Sequence, residues 1–446
     1  MTRLPRWRAI AAAAAFIATI AVVVGAVVAA AAEAAKSSEA AEAAAGFYHP
    51  RAPMLFDTLD ELEAWERAAL PRHVGVAVAA APAGEGVASR YAVGLTVSMT
   101  SYQQRNLAHV NALIAEIETR GHRAVTLVHR GAPDLARFMK NGKAVVDVVI
   151  QVGSVFAIPD RQAFLDRLAA LDVPVLSAFH HHAQNEAQYA ASPTGLLPTL
   201  GSAVVDAELD ARFEPMPVSG RGAMREGERD SHGGDAYAIE PYRRAIAWRV
   251  ERAIAWAKLR HTPNARKRLL FTYWSQGGGK ANVGGDPDDF LDVPATIVRL
   301  LREMRARGYD VGSAALPDRD TIARRMALEG SNVGNWAPGE LASRVARGEV
   351  RLVPEDEYQA WFDALPAARR DEIIAMWGPP PGNVSVYTDA RGRRSLVVPG
   401  LTFGNVVFAP NPDWGYLQDA KALMSTGALP PHHQYLAFFL WMQKSW

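Results

Sequence analysis

Short apolar runs alternate along this chain with stretches whose apolar residues return every third or fourth position. Tyr91 to Val97 has the pattern of a strand. Leu107, Val110, Leu113, Ile114 and Ile117 then fall on one helical stripe, and Gly121 supplies the stop. Ala124 to Val128 predicts a second strand and Val145 to Ile150 a third. Arg161 to Leu171 predicts a helix, and Val173 to Ala178 a further strand. Strands apolar on both faces are what parallel sheets covered by helices require, so the order predicts an α/β fold with doubly wound, mostly parallel sheets. Ligands of such sheets bind beyond the carboxyl ends of the strands.

The pattern breaks between Pro215 and Gly234, where Gly, Arg and Ser dominate without an apolar period. An exposed loop is expected there, between two lobes. Beyond it, Tyr242 to Leu259 carries Ile246, Val250 and Ile254 at four-residue steps, with Trp248 and Trp256 nearby. Leu269 to Tyr273 reads as a strand that runs through a glycine-rich loop into a helix from Pro294 to Arg307, closed by Gly308. Proline suits the first turn of that helix, where its missing N–H has no partner to lose. Ser395 to Val398 and Val406 to Phe408 read as strands, and Tyr435 to Met442 as an aromatic helix. The expected organisation is a leader and spacer over residues 1–46, an α/β lobe over 47–214, a loop over 215–234 and a second lobe, incomplete at its C-terminal end, over 235–446.

The leader is the most legible segment. Arg3, Arg6 and Arg8 precede an uncharged, mostly apolar run from Ala9 to Ala32. As a helix this run is about 36 Å long against a hydrocarbon core of about 30 Å. It is expected to be an N-terminal hydrophobic helix, a membrane anchor or a signal peptide. The basic flank keeps its start in the cytoplasm and places the following domains across the inner membrane, facing the periplasm or exterior. Lys+Arg 48 against Asp+Glu 47 leaves a formal charge of +1, which offers no field to recruit nucleic acid. With no cysteine, disulfides and thiolate metal sites are excluded, so metal ligands must be His, Asp, Glu or backbone.

Three constellations carry candidate chemistry. Gln276 to Gly285 is a glycine-rich loop between strand and helix, where backbone N–H groups can cradle an anion. A nucleotide-binding loop would need Gly at Trp274 and Ser or Thr at Ala281, so ATP is not expected there. His180, His181 and His182 end an apolar run. Consecutive residues point different ways, which favours a polar loop tip over a shared metal ion. His432 and His433 follow Pro430-Pro431 and open the aromatic helix with Tyr435, Phe438, Phe439 and Trp441, which either packs a flat macrocycle or belongs to a core.

Three stretches resemble the large subunit of cobaltochelatase and the related H subunit of magnesium chelatase. The most specific runs from Phe271-Thr272-Tyr273-Trp274 through Gly279-Lys280-Ala281-Asn282-Val283-Gly284 to Leu291-Asp292-Val293-Pro294-Ala295-Thr296 and Arg307-Gly308-Tyr309-Asp310-Val311. Another joins Trp377-Gly378-Pro379-Pro380-Pro381-Gly382 with Phe403-Gly404-Asn405-Val406-Val407-Phe408 and Pro412-Asp413-Trp414-Gly415-Tyr416. The last is Pro430 to Trp441. About four fifths of the chain resembles the family, with Ile322 to Ile374 matching poorly. The family's aromatic helix is followed by a His-Gly-x-x-Glu-Trp type motif, whereas this sequence ends at Trp446, so a truncated, N-terminal portion is expected.

The resemblance implies a tetrapyrrole metal chelatase that binds a corrinoid or porphyrin and takes Co²⁺ or Mg²⁺ as its substrate ion. ATP would enter only through partner subunits. It implies His432 and His433 as catalytic residues, with His432 also a metal ligand, and Gly279, Lys280, Asn282, Gly404, Asn405 and Tyr416 as tetrapyrrole-binding residues. A tight turn is the competing expectation for Gly404-Asn405. Two alternatives stay open: an exported tetrapyrrole- or metal-binding module without catalysis, and the remnant of a split gene. The missing C-terminal part of the chelatase would then be a partner.

Overall fold

The computed structural model describes residues 45–70, 90–153, 160–193, 195–196, 201–229, 234–275, 284, 291–333, 337–348, 350–413 and 429–446. The hydrophobic run from Ala9 to Ala32 lies outside them. Among the described residues no helix is long and apolar enough to cross a membrane. The chain divides into two compact units, Met1–His261 and Thr262–Trp446.

In chain order the first unit contains β1 (Gly46–Tyr48), α1 (Leu59–Ala69), β2 (Ala92–Ser98), α2 (Met99–Gln103), α3 (Ala108–Thr119), β3 (Arg123–His129), the short β4 (Met139–Lys140) and β5 (Lys143–Ala144), and β6 (Val148–Val152). It continues with α4 (Arg161–Leu171), β7 (Val175–His181), α5 (Glu186–Ala191), α6 (Gly201–Leu209), β8 (Phe213–Arg229), β9 (Asp235–Pro241) and α7 (Arg243–His261). Seven strands form one sheet in the order β1-β3-β2-β6-β7-β8-β9. The five from β3 to β8 run parallel, and β1 and β9 pair antiparallel at the two edges.

Helices cover both faces, as the two-sided apolar strands require. Val93, Leu95 and Val97 of β2 with Val148 and Ile150 of β6 pack against Val110, Leu113 and Ile117 of α3 and Ile246 and Val250 of α7. Val125 and Leu127 of β3, Val149 of β6 and Val175 of β7 face the other way, onto Leu62 of α1 and Phe164 and Leu171 of α4. Each such side chain contributes about 1.5–3 kcal/mol when fully buried. A capping box at Thr58 and Glu61 starts α1, and the Asp160 side chain caps α4.

From Pro215 to Arg229 the expected loop over 215–234 is strand instead. β8 extends to Arg229 and pairs with β9 across Ser219↔Pro241 to Arg229↔Asp235. Its Gly, Arg and Ser residues hide the strand because much of it projects beyond the sheet, so no apolar face is needed there. The boundary between units falls later than the loop would place it, because Glu214 binds α7 to β8. Its carboxylate accepts from Arg252 Nε (3.2 Å) and Trp256 Nε1 (3.1 Å), and its carbonyl accepts from the fully buried Arg249. Arg252 holds the Glu214 carboxyl below its usual range.

The second unit contains β10 (Leu269–Tyr273), α8 (Val293–Ala306), α9 (Arg319–Leu328), α10 (Pro338–Ala346), β11 (Val350–Pro354), α11 (Glu355–Asp363), α12 (Ala367–Trp377), β12 (Val386–Thr388), β13 (Arg394–Pro399), β14 (Leu401–Phe403), β15 (Val406–Pro410) and α13 (His433–Lys444). The expectation of mostly parallel sheets does not extend here. Among the described residues one three-stranded sheet is mixed, β10 parallel to β15 and β15 antiparallel to β14, and the other, β11-β13-β12, is wholly antiparallel. Tight connections account for this: Phe403 pairs with Val406 across a two-residue turn, which can join only antiparallel strands. α8 follows its expected course, capped by Asp292 and buried through Ile297, Val298, Leu301 and Met304. Gly308 with φ +78° follows its end.

Replacing Glu214 tests what holds α7 in the first unit. Glu214 Oε2 also lies 3.5 Å from the buried Arg249, and leaving such a buried charge unpaired costs about 3–5 kcal/mol. Arg249 keeps the Glu214 carbonyl, so Glu214→Ala is expected to lower the unfolding free energy by about 3 kcal/mol in urea titration.

Candidate functional site

The pairing of β10 with β15 fixes which motifs of the second unit meet. Leu269 lies beside Val406 and Tyr273 beside Pro410, so the carboxyl ends of both strands point the same way. The Tyr273 carbonyl accepts from the Asn411 N–H at 2.8 Å, and the Tyr273 hydroxyl donates to the Gly330 carbonyl at 2.5 Å. Asn332 closes this end by donating to the Ser275 and Asn411 carbonyls at 3.2 and 2.8 Å.

His432 and His433 are packed at this same end. His432 is the N-cap of α13; its Nδ1 accepts from the Tyr435 N–H at 3.1 Å, so its proton sits on Nε2. Burial pushes its pKa down to about 4, partly opposed by the backbone of Asp413. The His433 ring spans two partners, the Tyr358 hydroxyl at 2.8 Å from Nδ1 and the Gly378 carbonyl at 2.9 Å from Nε2. A carbonyl can only accept, so Nε2 carries the proton and Nδ1 accepts from Tyr358.

The Trp377-Gly378 and Pro430-Pro431 motifs, far apart in sequence, meet here. Trp377 Nε1 donates to the Pro430 carbonyl at 2.7 Å, and its ring stands edge-on to His432 with centroids 5.7 Å apart. Gly382 lies so close to His433 that a Cβ there would fall 2.7 Å from His433 Cδ2. The Gln434 side chain donates to the Val397 carbonyl at 3.3 Å.

Both imidazoles are almost completely buried, at 0% and 1% exposure. His433 has both ring nitrogens bound within the fold, and the free lone pair of His432 is spent on its helix cap. His432 Nε2 is buried with no hydrogen-bond partner. Among the described residues no group of three or more His, Asp or Glu side chains is placed to hold a metal ion.

Gly404 and Asn405 sit elsewhere. They form the turn between β14 and β15, at the opposite end of β15 from His432, about 16 Å away along five residues. Gly404, with φ +54°, occupies the first central position of a two-residue hairpin turn, and a Cβ there would collide with Asp310. Asn405 donates to the Ala265 carbonyl at 3.1 Å, and its carbonyl accepts from the Leu269 N–H at 2.9 Å. A groove of about 350 Å³ opens beside the turn, lined by Val311 to Pro317, Arg325, Thr402 and Phe403. Gly279, Lys280, Asn282 and Tyr416 lie outside the described residues.

Tyr358 was not legible as a partner of His433, because nothing in its helical stripe separates a core tyrosine from one aimed at an imidazole. His180, His181 and His182 diverge as expected. The His180 and His182 rings meet edge-on, with centroids 4.9 Å apart, while His181 is buried and accepts from the Gln184 N–H at 3.2 Å.

The second unit thus belongs to the mixed α/β proteins that gather their motifs at strand carboxyl ends. The model of the CobN/Magnesium Chelatase family matches residues 13–446, and the chain belongs to this family. It is 32% identical over 279 residues to the aerobic cobaltochelatase subunit CobN of Pseudomonas aeruginosa, covering 62% of this chain and 21% of that one. It is 26% identical over 414 residues to the magnesium-chelatase subunit ChlH of Oryza sativa subsp. japonica, covering 90% and 27%. The solved catalytic subunit of cobaltochelatase from Mycobacterium tuberculosis superposes with a TM-score of 0.59 at 25% identity, covering 82% of this chain and 30% of that one. The chain therefore spans less than a third of the length of each relative.

Burial of neutral histidines makes stability depend on pH. Folded pKa values near 4 for His109, His129 and His432 lie below the unfolded value of 6.5. Their contribution is complete above about pH 6.5 and is lost as pH falls through 4. For His432 this amounts to on the order of 3 kcal/mol at most. His432→Asn keeps a good N-cap, so urea midpoints between pH 7.5 and 4.5 are expected to fall less steeply in that variant than in the parent.

Proposed function

We propose that this chain is the tetrapyrrole-binding portion of a metal chelatase large subunit whose substrate ion is Co²⁺ or Mg²⁺. The observation that carries this reading is the family match along residues 13–446. The parallel pairing of β10 and β15 supports a location, since ligands of α/β sheets lie beyond the carboxyl ends of strands. The ring would lie at the His432 end; Lys280, which follows β10 in sequence, would supply charge, and Gly279 and Asn282 would supply N–H groups to hold a carboxylate arm. Tyr416, which follows β15 in sequence, would line the ring. His432, His433 and Trp377 act on the ring indirectly, by fixing the start of α13. Gly404 and Asn405 build the hairpin at the far end.

Metal insertion requires removal of two pyrrole protons by nearby bases. In this reading those bases come from the rest of the large subunit, and ATP acts only through partner subunits. The hydrophobic run from Ala9 to Ala32, with Arg3, Arg6 and Arg8 before it, would place both units outside the cytoplasm. A reporter fused after Trp446 that is active only in the cytoplasm would remove that location.

Visible-absorbance titration with a corrinoid and with a porphyrin tests the central reading. Saturable perturbation is expected, weakened about tenfold or more by Lys280→Ala and unchanged by Asn405→Ala. No perturbation by either ring overturns the proposal. In a spectroscopic insertion assay the 446-residue chain alone is expected to show no turnover with either ion. Losing part of a catalytic group that acts as a unit costs orders of magnitude in rate.

A further inference from the structure

The sheet of the first unit reverses direction once. From β2 the chain crosses to β3 on one side, and from β3 it returns past β2 to β6 on the other, so the connections diverge between β2 and β6. Such a switch point opens a crevice at the carboxyl ends of the two strands. One polar row crosses the sheet just below it: Thr96 of β2 pairs with Gln151 of β6, which pairs with Ser177 of β7. All three are buried, at 0%, 0% and 2% exposure, in strands that are otherwise apolar.

Gln151 is the anomaly in that row. Thr96 Oγ1 accepts from the Val152 N–H at 3.2 Å, whereas both the oxygen and the nitrogen of the Gln151 amide are buried with no hydrogen-bond partner. Two more unpartnered buried atoms stand above it on the same face, His129 Nε2 and His181 Nε2. His129 ends β3 opposite Ser98, two residues beyond the row, and His181 ends β7 four residues beyond it. At about 3.3 Å per residue along the strands and about 4.8 Å between neighbouring strands, the two residues lie roughly 12 and 14 Å from Gln151, on either side of the switch point.

Their tautomers define what fits between them. His129 Nδ1 lies 2.9 Å from the Gly131 carbonyl and therefore carries the proton, leaving Nε2 an acceptor. His181 Nδ1 accepts from the Gln184 N–H, so its Nε2 carries the proton and donates. Burial holds both rings neutral. The group offers one acceptor, one donor and an amide that is both, without charge.

We propose that this crevice binds a small uncharged molecule through an amide-type edge, a donor beside an acceptor, paired with the Gln151 amide and flanked by His129 and His181. The site is independent of ring binding in the second unit. A primary carboxamide and a nucleobase both present such an edge, whereas a carboxylate offers acceptors only and brings a charge that neutral walls do not balance.

The test is thermal unfolding of the full chain, parent and Gln151→Leu, with nicotinamide, uridine or benzoate at 10 mM. An unpaired buried amide destabilises the free protein. Gln151→Leu is therefore expected to raise the ligand-free Tm by about 2–4 °C. Nicotinamide or uridine should raise the parent's Tm by a similar amount and leave the variant's unchanged, and benzoate should shift neither. A shift with nicotinamide alone assigns a carboxamide; a shift with uridine assigns a nucleobase. A lower Tm in Gln151→Leu would show that the amide is a structural bond, and the proposal fails. It fails equally if neither amide probe shifts the parent, or if benzoate shifts it as much.

Discussion

A parallel sheet covered on both faces leaves little room for chemistry inside it. Its backbone groups are spent on neighbouring strands, and the helices of the first unit cover its side chains with Val, Leu and Ile. His129, Gln151 and His181 lie at the carboxyl ends of their strands. A buried polar group costs stability unless it is paired. The pairing of each such group separates those that hold the fold from those that await a ligand.

Under that criterion the histidines divide. His433 has a donor and an acceptor on its two nitrogens, whereas His432 caps a helix through Nδ1 and leaves Nε2 unpartnered. They fix the start of α13 against Trp377 and Gly378. His129 and His181 each satisfy one nitrogen and leave the other unpartnered. The same residue type is fully paired at His433 and half paired at His129, His181 and His432, and local sequence does not distinguish the two.

Family membership and local geometry answer different questions. The match over residues 13–446 places the chain among the CobN/Magnesium Chelatase proteins. It does not say that Gly404-Asn405 builds a turn. The register Leu269↔Val406 sets that turn beside the start of β10, whereas the glycine motif follows the end of β10 in sequence.

The sequence by itself determined the elements whose signal is local. The helical stripe Val110, Leu113, Ile114 and Ile117, the strands around Val125, Ile150 and Leu176, and the Asp292 cap with its proline all appear where periodicity and capping chemistry put them. The strand hidden in Phe213–Arg229 did not show, because a projecting hairpin needs no apolar face. The hold of Glu214 on α7 and the antiparallel sheets of the second unit were decided by tertiary structure alone. So were the commitment of His432 and His433 and the isolation of the Gln151 amide. Each depends on which distant residue supplies a hydrogen-bond partner, and that is set by strand register and packing between elements, which no local pattern encodes.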